Sequence, residues 1–71
     1  MKITTEQTEK LLSGDYKFSQ LGFSMLVTRL KMVYAQENTL EVLEDSMNEI
    51  NTFLGKFKFI MVADYEIISK L

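Results

Sequence analysis

The chain has 71 residues, a formal net charge of -2, and neither Cys nor His, which excludes disulfides, the common zinc sites and any nucleophile or base system built on thiol or imidazole. So short a chain makes one domain, spanning 1–71, near the lower size at which a core can hold itself together, and the reinforcement left to it is oligomerisation. Its slight acidity gives no general attraction to phosphate backbones or anionic lipid.

Pro is absent and Gly occurs only at Gly14, Gly22 and Gly55, so few stops interrupt a sequence rich in helix formers. The composition predicts an all-α fold, a small three- or four-helix bundle that forms a homodimer. The first helix is expected over Thr5–Ser13. Thr4 can accept from first-turn amides while Gln7 reaches back, as in a capping box, and Glu6, Glu9 and Lys10 suit the helix dipole. Gly14 is read as a left-handed stop. Only Ile3, Leu11 and Leu12 supply apolar surface, so this element should lie across the others as a lid.

The second helix is expected from Ser19, as N-cap, to about Gln36, with Phe18 packing on Phe23 as a hydrophobic staple. At about 100° per residue, Phe23, Leu26, Val27, Leu30, Val33 and Tyr34 form the core stripe. Leu21, Met25 and Met32 fall on nearly the opposite side. A helix apolar on two faces sits centrally, either in its own bundle or across a dimer axis.

The third helix is announced by Asn38 as N-cap with Glu41 three positions on. Leu40, Leu43, Met47, Ile50, Leu54, Phe57 and Met61 then alternate steps of three and four, and Ile68 and Leu71 resume the register after Asp64 interrupts it. Gly55, on the polar side, is read as a break. Between 56 and 62, Lys and Phe alternate with period two. The continuing register favours helix there, with a strand, and hence an α+β fold, as the alternative.

The same residues bound the function. Without thiol or imidazole, and with little concave volume, the chain is not expected to be an enzyme or to hold a cofactor or metal. A carboxylate-only enzyme or metal protein is the remote alternative. Glu37, Glu41, Glu44, Asp45 and Glu49 make an acidic ridge, either a solvated face or a docking surface for a basic partner, with no spacing of the EF-hand type. The stretch 16–36 carries Lys17, Arg29 and Lys31 and no acid. Those cations either meet the acidic helix at the rim of a hairpin or, in the rival reading, touch phosphates as part of a helix-turn-helix DNA-binding regulator. Three positive charges neutralise few phosphates, so nucleic acid is not the expected partner.

No secretory signal is visible, and the longest apolar run, 59–63, is too short to span a bilayer, so a cytoplasmic location is expected. The residues support no resemblance to a known family. The reading is a small helical protein–protein interaction module, a regulator or assembly component. Leu21, Met25 and Met32 are expected to serve self-association, and Glu41, Glu44, Asp45 and Glu49 an unidentified partner protein.

Overall fold

A computed structural model describes residues 2–14, 16–34, 39–56 and 62–71. They form four helices in chain order, α1 over Thr5–Ser13, α2 over Leu21–Tyr34, α3 over Leu40–Lys56 and α4 over Val62–Ser69. No strand occurs among the described residues, and the all-α bundle expected from composition is what forms. The strand alternative for 56–62 falls on residues outside the described set, apart from Lys56 and Val62, which are both helical.

The local signals of α1 do what their spacing requires. The Gln7 backbone N–H donates to Thr4 Oγ1 at 3.2 Å while the Thr4 N–H donates to Gln7 Oε1 at 2.9 Å, which closes the capping box. Ile3, Leu11 and Leu12 are buried, and the Ile3 N–H donates to Asn51 Oδ1 on α3 at 2.8 Å. Thr8 is buried as well, its hydroxyl satisfied by donation to the Thr4 carbonyl at 2.9 Å. The helix thus lies against both α2 and α3. Thr4→Ala should lower stability by about 1 kcal/mol, seen as a lower urea midpoint at unchanged slope, and Thr4→Ser should restore most of it.

Gly14 corrects the expectation of a left-handed stop. Its φ of -96° and ψ of 161° are extended backbone, and no described residue has positive φ. Glycine is needed here for closeness: a Cβ would run into the Tyr16 ring and stand 2.8 Å from the Lys10 carbonyl oxygen.

At the start of α2 the Phe18 ring meets Phe23 edge-on, with centroids 4.7 Å apart at 77°, as the staple predicted. The cap itself differs from expectation. The helix begins at Leu21, the Ser24 N–H donates to the Gln20 carbonyl at 3.0 Å, and Ser19 points its hydroxyl elsewhere. Asp64, from the first turn of α4, takes over the capping role. Its Oδ1 accepts from the Ser19 N–H at 2.6 Å and the Ser19 hydroxyl at 2.9 Å, and its Oδ2 accepts from the Gln20 N–H at 2.7 Å. Asp64 is fully buried, and a carboxylate at a helix N-terminus is favoured by the unpaired amides and the dipole together. α2 is described as far as Tyr34, so its expected extension to Gln36 lies outside the described residues.

Of the expected α2 stripe, Phe23, Val27 and Leu30 are buried and Leu26 and Tyr34 pack partly against them. Val33 is the exception, 66% exposed. It stands about 60° around the helix from Leu30, past the edge that its neighbours cover.

α3 is capped by Thr39, whose Oγ1 accepts from the Val42 N–H at 3.3 Å and whose carbonyl accepts from the Leu43 N–H at 3.0 Å. The expected cap, Asn38, lies outside the described residues. Leu43, Ile50 and Leu54 are buried and Met47 is partly buried. Leu40 departs from the expected seam, 66% exposed, because the first residue of the helix precedes the turn on which its partners pack. The helix stops one residue after Gly55, close to the expected break. Phe57 and Met61 lie outside the described residues. Ile68 of α4 is fully buried, and polar contacts fasten that helix to α1: Gln7 Nε2 donates to the Ile68 carbonyl at 3.2 Å and Lys10 Nζ to the Leu71 carbonyl at 2.6 Å.

Candidate functional site

α2 and α3 run antiparallel, since Gly22 lies beside the Phe53 ring while Arg29, two turns on, reaches back to Glu49 at 3.6 Å. Their outer surfaces meet in a groove of about 500 Å³ with Leu26 and Phe53 in its lining and Arg29, Glu49, Thr52 and Lys56 along its rims. A second hollow of about 470 Å³ shares Leu26, Arg29 and Phe53 and adds Gly22 and Met25. A third, of about 270 Å³, lies between Met25 and Met32 over Thr28. The three adjoin, because Arg29 borders all of them and Met25 borders two.

The sequence-based self-association residues come together on this surface. Leu21 is 73% exposed, Met25 64% and Met32 82%, and their spacing places all three within one narrow stripe of α2, turned away from Phe23 and Leu30. The packing that buries one side of α2 therefore leaves the opposite apolar side open.

The acidic ridge is not one uniform surface. Glu49 is turned toward α2, where it pairs with Arg29 at 3.6 Å and accepts from the Tyr34 hydroxyl at 3.3 Å. The Glu49 charge, then partial desolvation, the hydrogen bond and the charge of Asp45 raise the Tyr34 pKa above its usual 10.0, against an opposing effect of Arg29. Asp45 is thereby placed near the Tyr34 end of the groove. Glu41 is exposed one turn before Asp45, and Glu44 is exposed about 100° around the helix from it. No group of three or more potential ligands that could hold a metal ion occurs among the described residues.

The three basic residues of the second segment separate too. Arg29 is paired with Glu49, Lys31 donates to the Gly14 carbonyl, and Lys17 is exposed. Residues 14–20 join α1 to α2, a longer connection than the three- or four-residue turn of a helix-turn-helix.

Three contributors escaped the sequence reading. Leu26 was assigned to the core and Phe53 to nothing, although Phe53 adjoins Leu54 on the flank of the heptad seam, the one signal that could have marked it. Lys56 carried no signal of its own. The fold and this surface define a small helical bundle with an open apolar face. The chain matches no family model, no curated protein and no solved structure, and among the described residues no helix is long and apolar enough to cross a membrane.

Proposed function

We propose that the protein is a non-enzymatic interaction module of the cytoplasm, a small regulator or assembly component that docks another polypeptide on the outer face of α2. The observation that carries this reading is the exposure of Leu21, Met25 and Met32 in one stripe beside a groove lined by Leu26 and Phe53. Each such side chain gains about 1.5–3 kcal/mol on full burial, so covering the stripe is a larger effect than any ion pair at its rim. DNA contact is the weaker reading, because Arg29 and Lys31 already have partners within the chain.

The double variant Met25→Lys, Met32→Lys changes only exposed positions and should keep the helical circular-dichroism spectrum and melting temperature of the parent. It should also lose association, whether the parent self-associates in sedimentation or retains a protein in pull-downs from its host. A folded double variant that associates as strongly as the parent removes the reading.

A further inference from the structure

We propose that the occupant of this face is a second copy of the chain, seated antiparallel about a two-fold axis that lies in the contact plane and crosses the α2–α3 groove. The proposal rests on the reading of the α2 face as a docking surface and names what docks there. Its argument is the distribution of charge along the groove.

The middle of the face is apolar, with Met25, Leu26 and Phe53, and its central charges, Arg29 and Glu49, neutralise each other at 3.6 Å. The ends are opposite in sign. Lys56 borders the groove where α3 ends beside the start of α2. Asp45, with Glu41 one turn further, lies at the other end, near Tyr34. No ion pair forms at Lys56, Asp45 or Glu41 among the described residues.

Two copies meeting face to face can be related by two kinds of two-fold axis. An axis running along the groove would stack like ends, setting Lys56 against Lys56 and Asp45 against Asp45. An axis crossing the groove exchanges the ends and sets each Lys56 against an acidic end. Only the second is electrically complementary.

The register of the helices supports the same arrangement independently. The apolar stripe from Leu21 to Met32 is centred between positions 26 and 27. Interpolating between the contacts Gly22–Phe53 and Arg29–Glu49 puts that midpoint opposite positions 50 and 51 of α3. A half-turn about that point lays Lys56 over the partner's Asp45, and lays Leu21 over the partner's Met32. The apolar pairing and the charge pairing are met by one axis. An ordinary interface takes about 800 Å² from each partner, near one sixth of the 4997 Å² this chain exposes, and a face built on two of four helices can supply that share. Rim pairs of this kind add little affinity and chiefly set orientation.

Sedimentation of the full chain over a concentration series tests this, with Lys56→Glu, Asp45→Lys and the combined swap compared with the parent. The parent should dimerise, each single variant should weaken the dimer about tenfold through two like-charge contacts, and the combined swap should recover most of the loss. A parent that stays monomeric at its highest soluble concentration overturns the second copy as occupant, while leaving the docking face to be judged by the Met25→Lys, Met32→Lys pull-down. A dimer that this double variant abolishes but the combined swap fails to restore overturns the antiparallel axis. A dimer that survives the double variant overturns both this proposal and the reading beneath it.

Discussion

Asp64→Ala is expected to destabilise the fold by about 3 kcal/mol, a large share of the roughly 4–10 kcal/mol that a domain of this length possesses. The carboxylate is fully buried and accepts three hydrogen bonds, two from backbone amides that no residue of their own helix satisfies. Alanine removes the acceptor and leaves those amides facing a space too small to hydrate them well. Asparagine is the sharper test. Both carboxylate oxygens accept here, Oδ1 from Ser19 and Oδ2 from Gln20, whereas an amide offers one oxygen and turns an N–H₂ donor toward another donor. Asp64→Asn should therefore fall close to Asp64→Ala in urea denaturation, and Ser19→Ala, which removes only the hydroxyl bond, should lose about 1 kcal/mol or less. An Asn variant as stable as the parent would show that shape rather than charge fills the site.

The cap also explains which parts of the fold were legible in the sequence. The start of α1 could be read to the residue because its determinants, Thr4 and Gln7, are three positions apart and bind each other. The start of α2 could not, because its cap comes from a residue 44 to 45 positions away. Ser19 looks like a local cap, yet its hydroxyl donates to Asp64 instead of accepting from its own helix. The same acid had been read as an interruption of the apolar register, which was correct as pattern and silent about purpose.

Apolar spacing told which side of a helix is buried but not how far a neighbour reaches. Leu30 and Val33 belong to one stripe by spacing, but only Leu30 is covered. The candidate site divides along the same line. Leu21, Met25 and Met32 were visible because one helix alone defines their stripe, whereas Leu26, Phe53 and Lys56 become neighbours only through the antiparallel crossing of α2 and α3.

Phe23→Ala should have the largest effect of any single change, about 3–5 kcal/mol, enough to leave much of the population unfolded at room temperature. Phe23 has no solvent exposure, and its ring lies between Phe18 at 4.7 Å and Phe53 at 5.7 Å. Removing it empties the point where the incoming loop, α2 and α3 converge. Phe23→Leu keeps most of the volume and should cost about 1–1.5 kcal/mol, which leaves a folded protein in which Phe53 has lost the ring behind it. Because Phe53 lines the docking groove while Phe23 touches no solvent, Phe23→Leu should weaken dimerisation without altering a single contact residue. Val27→Ala is the matched control. Val27 is also buried on α2, on the side away from the groove, so its loss should lower the urea midpoint comparably and leave the dimer constant alone. Equal effects of the two variants on dimerisation would mean that overall stability, rather than the support beneath Phe53, governs the face.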